Sequence, residues 1–123
     1  MFAAPELLHR MQEAMGPWTI PGPSREVARL ALLDTAWQNA TRSRLEAEAA
    51  RLQGLLSPLG EVKATSLFAT VNSARVGELH EHLARRAILT RRFDQHPLLR
   101  FGLPGNAAEW QRLSDALNEW NPA

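Results

Sequence analysis

Residues 87–113 read "AILTRRFDQHPLLRFGLPGNAAEWQRL". The runs "AILTRRF" and "LLRFGL" are short and apolar-rich, and the "DQHP" between them carries turn chemistry that Pro97 helps to define. The spacing predicts two short strands joined by a turn. Asn106 then stands three residues before Glu109, a capping-box arrangement, and Trp110, Leu113, Leu117 and Trp120 fall on one face of the helix it would start.

Working outward from this stretch, residues 74–86, "ARVGELHEHLARR", have helical spacing through Val76, Leu79 and Leu83. Before them the period changes to two. In "KATSLFATV" (63–71), Leu67, Ala69 and Val71 alternate with Phe68 and Thr70, as in a strand. From Ser24, placed as an N-cap with Glu26 in the first turn, nothing breaks the helical pattern until about Leu56. Val27, Leu30, Ala31, Trp37, Leu45, Leu52 and Leu55 form its apolar stripe, with Arg42–Glu46 and Arg44–Glu48 as i,i+4 pairs. At ~1.5 Å per residue such a helix would span roughly 45 to 50 Å, so it is expected to bridge two bodies or to bend near residues 41–43. Residues 5–15, "PELLHRMQEAM", predict a short amphipathic helix, separated from the long one by the Pro- and Gly-rich loop "GPWTIPGPS".

The order is helix, long helix, strand, helix, strand, strand, helix. The last five elements predict an α/β (α+β) architecture, a small sheet covered by helices. The first two have no strand to pack against, which points to an incomplete domain at the N-terminus.

The chain has 123 residues, enough for one modest core. It is 45% hydrophobic and 22% charged, an ordinary folded composition, and no apolar run approaches the ~20 residues a bilayer requires. A net charge of +1 gives no broad reason to bind nucleic acid or an anionic membrane. With no cysteine, disulfides and thiolate metal sites are excluded, and no secretory signal opens the chain, so a cytoplasmic location is expected. Of the 14 basic residues, all but Lys63 are arginine, so lysine chemistry has one candidate.

His80 and His82 point about 200° apart on a helix and make a poor metal pair, leaving surface positions as the expected reading. His9 and His96 are isolated, no serine lies in a nucleophile-elbow context, and "FGLPG" is not a phosphate-binding glycine loop. The arginines remain. Arg85 and Arg86 end a helix, where cations suit the dipole. Arg91, Arg92 and Arg100 lie in strands, where alternation lets at most one of Arg91 and Arg92 share a face with Arg100. Either all three are solvated edge charges, or two guanidiniums converge to hold a carboxylate or phosphate.

The quoted stretch resembles the end of fold-type-I pyridoxal-phosphate enzymes (the class I/II aminotransferase family), in which a "GI-x-V-R" strand is followed by "LR", a small-residue strand and a last helix. "PELLHRMQEAMGPWTIPGPSREVARLALLDTAWQNATR" is similar to the segment after the cofactor lysine, and "GPW", "DTAW" and "LRFGLPG...EWQRL" point to the branch that handles phosphorylated substrates. The resemblance implies the following expectations. Residues 1–23 are a remnant of the large cofactor-binding domain, 24–56 a long interdomain helix, and 57–123 the small substrate-binding domain. Arg91 and Arg100 bind the substrate's acidic groups, and Trp18 lies near the active-site mouth. The parent is a cytoplasmic homodimer with pyridoxal phosphate as cofactor, acting as a decarboxylase of a phosphorylated amino acid in cobalamin biosynthesis. The alternatives are a histidinol-phosphate aminotransferase-like transaminase and a non-catalytic helical assembly module. The family's cofactor lysine precedes the region present here and Lys63 has no matching context, so this chain without the preceding part is expected to be inactive. The sequence departs from the family pattern at Pro21, often polar in relatives, and at Ala87, where glycine is usual.

Overall fold

In the computed structural model, which describes residues 4–16 and 20–120, the chain divides into two compact units, Met1–Gln38 and Asn39–Ala123.

The first unit is helical. α1, Pro5–Met15, starts with proline in its first turn and stops at Gly16, whose φ of 71° suits glycine. α2 spans Gly22–Leu33 and begins before Ser24, because Pro23 is accommodated in a first turn that has no intrahelical partner for its N–H. Arg29 grips Glu26 through two hydrogen bonds of 2.7 and 2.9 Å. That contact holds the Glu26 carboxyl below its ordinary pKa, as Arg75 does for Glu78. Both pairs are exposed, so they contribute little; the contribution is present above the ordinary carboxylate range and lost as pH falls through the lowered value.

The uninterrupted helix expected over 24–56 is two helices. α2 ends at Leu33, and α3, Thr35–Leu56, begins after Asp34. The break falls at Asp34 rather than at 41–43, because the aspartate side chain accepts the Trp37 N–H at 2.9 Å and caps the new helix. The Gln38 amide donates to the carbonyls of Ala31 and Leu32, which the end of α2 leaves without helical partners. Arg44 and Glu48 form the expected pair at 2.9 Å. Of the expected apolar stripe, Val27, Leu30 and Trp37 are exposed. In α3 Leu52 and Leu56 are fully buried, and Leu55 packs against the same core partly buried.

The second unit is a four-stranded antiparallel sheet, order β1-β2-β4-β3, with helices against one face. A 3₁₀ turn and Gly60 lead into β1, Glu61–Ala64. The single strand expected over 63–71 is a hairpin. Residues 65–67 turn because the Thr65 N–H donates to the Phe68 carbonyl at 2.8 Å while the Thr65 hydroxyl accepts from the Phe68 N–H, and β2 is Phe68–Asn72. Then come α4 (Val76–Ala84), β3 (Arg91–Phe93), β4 (Leu98–Gly102) and α5 (Ala107–Asn118). Asn106 caps α5 as the capping box predicts, accepting the Glu109 N–H at 3.0 Å.

The inward residues Ala69, Val71, Leu99 and Phe101 of the sheet meet Leu52 and Leu56 of α3, Val76, Leu79 and Leu83 of α4, and Trp110, Leu113, Ala116 and Leu117 of α5. This is the small sheet covered by helices that the sequence predicts. Among the described residues no helix is long and apolar enough to cross a membrane.

α4 ends in a Schellman arrangement: the Ile88 N–H bonds to the Leu83 carbonyl and the Ala87 N–H to the Ala84 carbonyl, each at 3.0 Å. Ala87 sits at φ 56°, in the left-handed region that a glycine would occupy without strain. Ala87→Gly relieves about 1–2 kcal/mol of strain and returns about half of it as unfolded-chain entropy. The expected result in thermal melts is a Tm higher by a few degrees; an unchanged or lower Tm would show that the strain is absorbed elsewhere.

Candidate functional site

The outward face of the sheet carries a row set by strand register. On β1 Lys63 opposes Thr70, Thr70 opposes Arg100 across β2 and β4, and Arg100 opposes Arg91 across β4 and β3. Directly opposed residues share a face, so Arg91 and Arg100 leave the same side of the sheet. Arg92, the competing candidate, opposes Leu99 and belongs to the other face. Its guanidinium lies over α4, 3.5 Å from where a Cβ on Gly77 would stand, and reaches Asp94 at 3.2 Å.

Each outward arginine is flanked by an aromatic ring. The Arg100 guanidinium carbon is 4.5 Å from the centroid of Phe68, and that of Arg91 is 5.4 Å from Phe93. Stacking of this kind orients a guanidinium while leaving its N–H donors free for an anion. Among the described residues neither arginine is ion-paired with a carboxylate; the ion pairs formed nearby are Arg92–Asp94 and Lys63–Glu61. A cavity of about 700 Å³ lies against this face and the β3 edge, lined by Phe68, His80, Leu89, Thr90, Arg91, Arg100 and Gly102, with the Arg92–Asp94 ion pair also on its wall.

The edge strand β3 is only three residues long and is tied to α4 by a hydrogen bond of 2.7 Å between His80 Nδ1 and the hydroxyl of the buried Thr90. His80 is therefore half-buried rather than at the surface. So is His82, whose Nε2–H donates to the Ala116 carbonyl at 2.7 Å while Nδ1 accepts from Arg86 at 3.2 Å. Both histidines are used structurally, and among the described residues no cluster of three or more histidine or acidic side chains could hold a metal ion.

Of the residues that the sequence singles out, Arg91 and Arg100 are brought together. Trp18 lies outside the described residues. Lys63 shares the row, but its side chain is 80% exposed and its ammonium is 3.5 Å from Glu61. Phe68, His80, Thr90 and Gly102 were not signalled by sequence as parts of a site. Phe68 and Gly102 face each other across β2 and β4, and only that pairing makes them neighbours of Arg100.

No family model matches the chain. A threonine-phosphate decarboxylase of Pseudomonas aeruginosa is 46% identical over 113 residues, covering 90% of this chain and 34% of the relative. A threonine-phosphate decarboxylase of a Sinorhizobium species is 35% identical over 119 residues, covering 94% of this chain and 35% of the relative. The chain thus spans about a third of the length of the curated relatives it matches. Over nine-tenths of its length the chain is thus similar to about a third of each of these two threonine-phosphate decarboxylases.

Proposed function

We propose that this chain is the C-terminal, substrate-binding part of a pyridoxal-phosphate-dependent threonine-phosphate decarboxylase, in which Arg91 and Arg100 hold the substrate's carboxylate or phosphate. The observation that carries the reading is the direct cross-strand opposition of the two arginines, each backed by an aromatic ring and neither ion-paired with a carboxylate among the described residues. Like charges opposed across strands destabilise a sheet unless an anion joins them. A phosphorylated amino acid supplies two, and guanidinium forks match the oxygens of both. Within this reading residues 57–123 form the small domain, 24–56 connect it to the large domain, and 1–23 belong with the latter.

The side chains present do not fit an anchoring site for the cofactor. Pyridoxal phosphate supplies an electron sink and needs a lysine to hold it. The only lysine, Lys63, is exposed and ion-paired to Glu61. This chain's contribution is therefore to bind and orient substrate, and the anchoring lysine comes from the part of the enzyme that the relatives have and this chain does not span. Mixed with equimolar pyridoxal phosphate, the chain is expected to develop no visible absorbance of lysine-bound cofactor. A stoichiometric band lost in Lys63→Ala would overturn the assignment of anchoring to another segment.

The binding role is tested by following the amides of β3 and β4 by NMR while O-phospho-L-threonine is added, with L-threonine as control. Saturable shifts centred on Arg91 and Arg100 with the phosphorylated ligand alone are the expected result. No shifts, or shifts elsewhere in the sheet, would leave a non-catalytic assembly role as the better account. The homology favours decarboxylation over the histidinol-phosphate transamination of the sister branch, whose substrate has no carboxylate for the second arginine.

A further inference from the structure

Gly102 is not explained by packing or by backbone geometry. Along β4 the outward residues are Leu98, Arg100 and Gly102, opposed by Asn72, Thr70 and Phe68, while Leu99 and Phe101 point into the core. A Cβ on Gly102 would have no atom within 4 Å, so no neighbour requires its absence. Its φ is outside the positive range, so the backbone does not require glycine either. No bulge falls there, because pairing runs unbroken from Phe68–Gly102 to Asn72–Leu98. Gly102 is the last residue of β4, and with neither a bulge nor a close neighbour to account for it, close approach of another molecule is one use of such a bare position.

The surroundings define that molecule. Gly102 lines the same cavity as Arg91 and Arg100, beside Phe68 and Leu89, which are 42% and 90% exposed. The bare backbone therefore shares a cavity with the two outward arginines and with exposed apolar side chains. Such a floor suits a small molecule with an anionic end and a short carbon skeleton.

We propose that Gly102 sets the size limit of the substrate site: its missing side chain leaves room for the carbon skeleton of a phosphorylated amino acid to lie against the sheet beside Phe68, while Arg91 and Arg100 hold the anionic groups. This rests on the arginine reading given under Proposed function and adds to it the position that decides which anions fit. A group as small as inorganic phosphate reaches the arginines without occupying the space above Gly102, whereas O-phospho-L-threonine occupies both.

The test compares Gly102→Ala and Gly102→Val with the parent chain, titrating each with inorganic phosphate and with O-phospho-L-threonine by NMR, and recording Tm. The expected result is a graded loss of O-phospho-L-threonine affinity, about tenfold or more for valine, with phosphate affinity kept within about twofold and Tm unchanged or raised. Loss of affinity with gain of stability is a combination that a purely structural glycine would not produce. The proposal is overturned if Gly102→Val, or Gly102→Ala should valine not fold, binds O-phospho-L-threonine as tightly as the parent, or if both ligands weaken together. An Arg100→Ala arm separates the two readings. Should the parent and Arg100→Ala bind both ligands equally, or the parent bind neither, the arginine reading fails first and the size limit with it.

Discussion

Arg100→Ala is expected to lower the affinity of the chain for O-phospho-L-threonine by about thirtyfold or more, the equivalent of roughly 2 kcal/mol. Arg100 is half-buried, stacked at 4.5 Å on Phe68 and opposed to Arg91, so its charge is held in place before an anion arrives. Removing it leaves the ligand's oxygens without their bidentate donor, and a point charge does not replace the planar fork, so Arg100→Lys should recover only a minor part. Arg92→Ala is the matched control. It removes the same charge one strand over, from a side chain that starts on the other face and, where it meets the cavity wall, is already neutralised by Asp94, so it should change affinity by no more than about twofold. Arg91→Ala should fall between, since Arg91 is the more exposed of the pair. Calorimetric or NMR titration reads all four variants. Equal losses for Arg92→Ala and Arg100→Ala would reduce the site to a diffuse positive surface and remove the paired-arginine account.

Gly60→Ala should cost about 3 kcal/mol of stability or more, the largest effect expected of so small a change. Gly60 has φ 150° and ψ −160°, a region open essentially to glycine alone, and a side chain there costs of order 1–3 kcal/mol in backbone strain. A Cβ at this position would also collide with the main-chain oxygen of Asn72, the residue that ends β2 opposite Glu61. Neither atom can turn aside as a side chain would, so the hairpin must shift, adding a further ~1–3 kcal/mol. The same substitution at Gly54, inside α3 and with nothing within 4 Å of its added methyl, should instead stabilise by roughly 0.5–1 kcal/mol. Urea unfolding of the two variants beside the parent gives shifts of opposite sign if this is right. A Gly60→Ala midpoint equal to the parent's would mean that the entry to β1 is looser than its geometry implies.

The positions of Gly60 and Gly102 separate two reasons for a glycine that look alike in a sequence. One is forced by backbone conformation and a close main-chain neighbour, and the other lies in open space on a strand. The letter is the same in both places, and only coordinates distinguish a glycine that the fold needs from one that it does not.

Local chemistry made much of this protein readable from its letters. The α1 helix follows from Pro5 and the spacing of Leu7, Leu8, Met11 and Met15; α4 from Val76, Leu79 and Leu83; the β3–β4 hairpin from its turn; and the cap on α5 from Asn106 and Glu109, because each depends on residues a few positions apart. Two local signals were outweighed: Asp34 preferred to cap a new helix rather than continue the old one, and Thr65 turned the chain inside an apparently continuous strand. The pairing of strands distant in sequence was decided by tertiary structure alone. A one-residue difference in register exchanges the faces of a strand, so the choice between Arg91 and Arg92, the ring under Arg100 and the bare floor at Gly102 all depended on how β2, β3 and β4 align when Val71, Leu99 and Phe101 bury themselves against the helices. Burial of the inner face fixes that alignment, and the outer face inherits its chemistry from it.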